Sequence, residues 1–218
     1  KNPAALQDLE INADNLQYFG DPVYEYDMSQ GIEDGYLAAC EIVKGRISLD
    51  ETGLSIDEVM AHHPKDARTG QPLTREDLRE MYDRKNYEDI IQLPDRVYAM
   101  CKDLFESFLE TGGPEQKTII FCVRDSHADQ VSTQMNNFYA LWCSEKGQKV
   151  LEPYAFKCTA SVQGGNYVAD LKGSSRSHFI AATVDLLSTG VDVPVVRNIV
   201  FFKYVRSPIS FYQMVGRG

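Results

Sequence analysis

Apolar and polar positions divide the chain into three textures, and the most regular begins at residue 94. After Pro94, apolar side chains recur at helical spacing (Val97, Cys101, Leu104, Phe105, Phe108, Leu109). Gly112-Gly113 closes the segment, which predicts a helix over 94–110. Residues 118–123 then form an unbroken apolar run, as expected of a parallel strand covered on both faces. Asp125 or Ser126 can cap the next helix, whose apolar positions are Val131, Met135, Phe138 and Leu141. Residues 154–158 read as a weaker strand, 179–183 and 199–202 as two more buried strands, and 207–215 as a final helix. Strands alternating with helices imply βαβ units and an α/β parallel sheet.

The first 93 residues are less regular. Tyr18-Phe19-Gly20-Asp21-Pro22 is a turn signal. Val23, Tyr24 and Tyr26 suggest a short strand, 30–37 a short helix and 38–43 a second strand. Residues 45–93, rich in charge, Gly, Pro and His, read as an insertion into the main fold, with small helices at 55–61 and 74–82. Thr74 and Asp77 have capping-box spacing.

Composition narrows the class. The 218 residues are 43% apolar and 25% charged, enough for one core without staples. No apolar run approaches the roughly 18–20 residues of a membrane span, and residues 1–10 have no apolar signal core. The chain does not begin with Met and reads as an excised piece. Its cysteines (Cys40, Cys101, Cys122, Cys143, Cys158) are odd in number and lack a C-x-x-C pair, which predicts reduced thiols in a cytoplasmic protein and no metal site. The net charge of −10 argues against gripping DNA by bulk electrostatics, but not against touching a few phosphates through loops.

Ligands of parallel α/β sheets bind beyond the carboxyl ends of the strands. One polar stretch there is Ala182-Thr183-Val184-Asp185-Leu186-Leu187-Ser188-Thr189-Gly190-Val191-Asp192-Val193-Pro194. Its hydroxyls and N–H groups suit phosphate oxygens, Gly190 permits a tight turn, and Asp192 can accept from a ribose hydroxyl. It reads equally well as a strand-to-helix loop with hydroxyl caps. A second stretch is Ser210-Phe211-Tyr212-Gln213-Met214-Val215-Gly216-Arg217-Gly218, where Arg217 alone would read as a solvent-exposed side chain. Together, T-x-D-x-x-x-x-G-x-D-x-P and Q-x-x-G-R-G, with 21 residues from Asp192 to Gln213, resemble the fifth and sixth motifs of superfamily-2 helicases and translocases. Residues 118–122 fit the fourth.

The resemblance implies a RecA-like parallel sheet flanked by helices, the second of two motor domains that hold ATP and Mg²⁺ between them. It implies Arg217 as the arginine finger on the γ-phosphate, an element worth about 10³–10⁵ in rate. It places Gln213 beside Arg217 as catalytic and makes Gly190, Asp192 and Gly216 nucleotide-binding. Thr183 and Thr189 become contacts to the nucleic-acid backbone. The further Arg usual in the sixth motif would fall beyond Gly218. No G-x-x-x-x-G-K-[ST] loop is present: in Gly113-Pro114-Glu115-Gln116-Lys117-Thr118, Gln116 replaces the required glycine. No D-E-A-H or D-E-x-D box follows a strand, so weak ATP hydrolysis is expected of this chain alone.

The segment from Tyr18 to Leu37 resembles "F-G-x-P-v-Y-x-Y-s-l-x-x-a-I-x-D-G-y-L" of the restriction (R) subunit of type I restriction–modification enzymes. Tyr82-Asp83-Arg84-Lys85-Asn86-Tyr87, and Lys117 to Cys122 followed by His127-Ala128-Asp129, extend the likeness; residues 45–80 carry it least. It implies a linker over 1–20 and a motor domain over 21–218, with the insertion at 45–93 and an end inside the sixth motif. It also implies translocation of double-stranded DNA, nuclease residues outside this sequence, and methyltransferase and specificity subunits as partners. Another superfamily-2 helicase, or an inert RecA-like binding module, is the alternative. Tyr24, Tyr26 and Tyr36 read as packing residues, His127 as orienting a helix start, His62-His63 as exposed, and Trp142 as closing the core beside Phe138.

Overall fold

The computed structural model describes residues 20, 21, 23–36, 38–45, 54–78, 81, 82, 87–159, 167–184, 193–205 and 207–216. The chain divides into two units, Lys1–Lys44 with Arg206–Ile209, and Gly45–Val205 with Ser210–Gly218.

In the second unit, β5 (Thr118–Phe121), β6 (Ala155–Lys157), β7 (Ile180–Thr183) and β8 (Asn198–Phe201) form one parallel sheet in the order β6-β7-β5-β8. Strand β5 alternates strictly between two cores. Ile120 and Cys122 face one core with helices α3 (Pro94–Thr111) and α4 (Asp125–Lys146). Ile119 and Phe121 face the other with Leu171 of α5 (Val168–Gly173) and Met214 of α6 (Pro208–Val215). Helices cover both faces, which is why the run is apolar from Ile119 onward and its one hydroxyl, on Thr118, is buried and bonded to the Gln116 carbonyl.

Helix α3 begins with Pro94 in its first turn and ends at Gly112, whose φ of 134° no residue with a Cβ adopts comfortably. Helix α4 corrects the predicted cap. Arg124 stands at its N-cap without a capping side-chain bond; the Asp125 carboxylate turns to Lys157 and Thr159, and the Ser126 hydroxyl donates to the Ala67 carbonyl at 2.9 Å. Leu141, predicted inward, is exposed. Trp142 is half-buried against the core and stacks on Tyr139 with ring centroids 6.0 Å apart. Strand β8 is only half-buried, because it is an edge strand paired on one side.

Residues 54–92 form short elements around a small core of Val59, Tyr87, Ile91 and Leu93. Strand β1 (Leu54–Ser55) pairs with β3 (Met81–Tyr82), and β2 (Lys65–Asp66) with β4 (Ile91–Gln92), both antiparallel. Helix α2 (Ile56–Ala61) opens with a capping box between Ser55 and Glu58. The predicted 74–82 helix is a single 3₁₀ turn, Arg75–Asp77, followed by an extended Leu78 and β3. The Asp77 carboxylate accepts from both the N–H (2.9 Å) and the hydroxyl (2.6 Å) of Thr74, and these bonds hold it below its ordinary pKa. His63 is exposed as expected, but His62 is half-buried and lies 3.3 Å from Asp95.

In the first unit, α1 (Met28–Glu33) is capped by Asp27, whose side chain accepts from the Gln30 N–H at 2.8 Å. The predicted strands at 23–26 and 38–43 are not formed; both segments are irregular. Tyr24, Tyr26 and Tyr36, predicted to pack, are exposed at 73%, 43% and 82%. The described residues of this unit hold no strand against which an isolated extended segment could pair, and a lone strand is not stable in water.

Candidate functional site

Parallel strands bring their carboxyl ends to one edge of the sheet. There, backbone bonds carry the pairing one step further, from Cys122 N–H to Thr183 C=O (2.6 Å), Phe202 N–H to Phe121 C=O (2.9 Å) and Cys158 N–H to Ala182 C=O (2.8 Å). The segments leaving β5, β6, β7 and β8 therefore start side by side.

Of the residues singled out in the sequence, Thr183 ends β7 and is fully buried, and its hydroxyl has no hydrogen-bond partner among the described residues. Gln213 is exposed on the last turn of α6, and Gly216 follows that helix, also exposed. A Cβ at Gly216 would stand 3.3 Å from the Tyr212 carbonyl, a tight contact that the helix end would have to relax by a few tenths of an ångström. Thr189, Gly190, Asp192 and Arg217 lie outside the described residues. Helix α6 is seated by Phe211 on Phe201 (centroids 5.4 Å) and by buried Met214.

His127, in the first turn of α4, accepts from the Val123 N–H at 3.3 Å through Nδ1, which fixes the turn from β5 into the helix as its sequence position suggested. Burial, and then the nearby Arg96 guanidinium, push its pKa down to about 3, so the ring is neutral. Its Nε2 is buried without a hydrogen-bond partner among the described residues, and the ring stacks on Phe202.

Three cations at this edge carried no sequence motif. Arg124 donates from Nε to the Asp89 carbonyl and from a terminal nitrogen to its carboxylate, both at 2.6 Å, tying residues 87–92 to the exit of β5. Lys157 donates to Asp125 and Asp129 at 2.8 Å each. Burial works to lower its pKa, but those two bonds outweigh burial and raise it. Lys203, just past β8, donates to the Val184 carbonyl at 3.2 Å and lies 5.8 Å from the centroid of the Phe121 ring. The signal available in the sequence was a cation immediately after, or at the end of, an apolar run. Among the described residues no group of three or more His, Cys, Asp or Glu is placed to hold a metal ion.

The sheet order, the helices on both faces and the polar carboxyl edge define a RecA-like domain of the helicase class, and the chain belongs to the helicase conserved C-terminal domain family, whose model matches residues 96–218. It is therefore the C-terminal RecA-like domain of a superfamily-2 helicase. Two relatives come from Escherichia coli. The type I restriction enzyme EcoAI endonuclease subunit is 28% identical over 206 residues, covering 94% of this chain and 24% of the relative. The EcoKI endonuclease subunit of strain K12 is 27% identical over 206 residues, covering 93% and 17%. The chain thus spans a quarter or less of the length of these relatives. A solved fragment described as an HsdR subunit of a type I restriction enzyme from Vibrio vulnificus YJ016 shares the fold. Its TM-score is 0.58 at 24% identity, over 96% of this chain and 34% of that one.

Proposed function

We propose that this chain is the second motor domain of an ATP-dependent double-stranded DNA translocase, within a type I restriction endonuclease subunit. The observation that carries this reading is the reach of the likeness to the Escherichia coli endonuclease subunits. It runs over 94% of the chain, whereas the general helicase match starts only at residue 96. Another superfamily-2 helicase would share the second stretch and not the first.

In this reading Arg217 acts as the arginine finger, its guanidinium stabilising charge on the γ-phosphoryl group in the transition state. Gln213 orients the same end of the site, Gly190, Asp192 and Gly216 face the nucleotide, and Thr189 meets the DNA backbone, whereas Thr183, expected to do the same, is fully buried at the end of β7 and presents no surface for that contact. Bound ATP supplies the free energy of phosphoryl cleavage, with Mg²⁺ neutralising phosphate charge. Among the described residues, Gln213 and Gly216 fit such a site: both are open to solvent, and a Cβ at Gly216 would crowd the Tyr212 carbonyl at 3.3 Å. The phosphate loop, the Mg²⁺ ligands and the nuclease residues belong elsewhere in the polypeptide. The methyltransferase and specificity subunits are its partners, and the cytoplasm is its compartment.

The test is DNA-stimulated ATP hydrolysis by the full-length protein with its partner subunits, wild type against Arg217→Ala. A loss of roughly 2–5 kcal/mol in transition-state stabilisation, with the fold intact, is the expected result. Wild-type protein without DNA-stimulated hydrolysis would overturn the reading. Unchanged turnover in the variant would make the Gln213–Gly218 match structural and favour an inert binding module.

A further inference from the structure

The two stretches that carry the proposed nucleotide chemistry leave strands that do not touch. Val184 leaves β7 toward Gly190 and Asp192, and Lys203 leaves β8 toward Gln213 and Arg217. Strand β5 lies between β7 and β8, so the two exits stand about 10 Å apart, twice the usual strand spacing. Among the described residues no backbone hydrogen bond crosses that gap. The backbone pairings stop at Cys122 N–H to Thr183 C=O on one side and Phe202 N–H to Phe121 C=O on the other.

Among the described residues, the Lys203 side chain crosses it. The Lys203 ammonium lies 5.8 Å from the centroid of Phe121, the last residue of β5. Its Nζ then donates to the Val184 carbonyl at 3.2 Å. Phe121 is fully buried and stacks on Phe201 at 5.7 Å, and Phe201 in turn carries Phe211 of α6.

We infer that Lys203 is a positioning residue for the proposed ATP cleavage, a strap over β5 that fixes the exit of the fifth-motif stretch against the exit leading to the sixth. The inference rests on the proposed function for its catalytic consequence, but not for its geometry. Groups that must meet one phosphoryl centre tolerate little displacement; a shift of 1 Å can cost on the order of 100-fold in rate. A charge-assisted bond to the first carbonyl beyond β7 is placed to suppress such a shift. Lysine is suited to the span because one long side chain carries an ammonium that both lies near the Phe121 ring and donates to the Val184 carbonyl.

The experiment uses the full-length protein with its partner subunits, as wild type, Lys203→Met, Lys203→Gln and Lys203→Arg. Methionine keeps an apolar stem of similar length and removes the donor and the charge. The expected result for Lys203→Met is a fall in kcat for DNA-stimulated ATP hydrolysis of about tenfold, with KM for ATP changed less than about threefold. Lys203→Arg should recover most of kcat. In an Arg217→Ala background, Lys203→Met should add much less than its own factor, because both act on one transition state. Unchanged kcat in Lys203→Met overturns the inference. So does a rise in KM for DNA with a weaker salt dependence at unchanged kcat, which would make Lys203 a phosphate contact.

Amide hydrogen exchange over residues 184–192 in the nucleotide-free protein provides a readout independent of turnover. Exchange should speed up about tenfold in Lys203→Met, and in Lys203→Gln should the methionine variant fail to fold, and stay near wild type in Lys203→Arg. Equal exchange in all variants removes the strap. Absence of ATP hydrolysis in wild type, with exchange responding as expected, would sink the proposed function and leave the strap standing.

Discussion

His127 is a buried imidazole held neutral at the point where β5 turns into α4. Its ordinary pKa is 6.5 and its folded value is about 3, lowered by burial and then by Arg96. As pH falls, the unfolded chain takes up the proton first, so the contribution is complete above about pH 6.5 and is lost as pH falls toward 3. At pH 5 the loss is about 2 kcal/mol. In urea titrations, His127→Gln should be less stable than wild type at pH 7.5, because it loses the ring that accepts from Val123, yet should lose less stability between pH 7.5 and 5. Parallel losses in the two proteins would refute this account. The cysteines give a second residue-scale prediction. Burial raises Cys101 to about 12 (with Glu88 adding to it) and Cys158 to about 11; it also raises Cys122, and Cys143 is fully buried. Alkylation proceeds through thiolate. Native protein treated with iodoacetamide at pH 8 should therefore be modified at exposed Cys40, with the other four reacting only after unfolding. A second native site found by mass spectrometry would contradict it.

Among the elements, β6 shows how an edge strand is closed by a side chain. Tyr154 C=O and Cys158 N–H pair with β7, so the backbone of Ala155 points away from the sheet. Asn136 of α4 meets it there, donating to Ala155 C=O at 2.8 Å and accepting from its N–H at 3.0 Å. One amide thereby replaces a missing neighbour strand. Asn136→Ala should cost about 2–3 kcal/mol in chemical denaturation, since two backbone groups lose their partner together; a loss below about 0.5 kcal/mol would mean that water replaces the amide freely. The period of α4 was legible from Val131 and Met135, both buried, whereas the role of Asn136 was not. Nothing in a helical pattern says which polar position will face a strand edge. The predicted 74–82 helix failed for a related reason. The Thr74–Asp77 box was present as read, but it closes a single turn, and Met81–Tyr82 pairs with Leu54–Ser55 in a contact distant in sequence.

For the whole molecule, charge and motif placement are the telling features. A net charge of −10 gives the isolated chain little general attraction for a polyanion. Fluorescence anisotropy with a double-stranded oligonucleotide should show no saturable binding by the 218-residue chain tighter than about 10⁻⁴ M at physiological salt, the weak end of ordinary non-specific binding. Tight, salt-sensitive binding would contradict this expectation and place a nucleic-acid-binding surface on this chain. The motif spacing was enough to expect a helicase C-terminal domain, and the family match over 96–218 agrees. It could not foretell that Thr183 is fully buried, because burial at a strand end depends on what packs above it.

What the sequence determined by itself is what local period encodes. Ile119 and Phe121 alternate with Ile120 and Cys122 along one strand, and chain geometry alone sends such positions to opposite faces. The caps at Ser55 and Asp27 and the stop at Gly112 are equally local, each resting on bonds or dihedrals within a few residues. The order β6-β7-β5-β8 belongs to the tertiary structure alone, because a period fixes which face a strand buries and not which strand lies beside it. That order puts β5 between the exits of β7 and β8, and so turns Lys203, a cation after an apolar run, into a side chain that joins them.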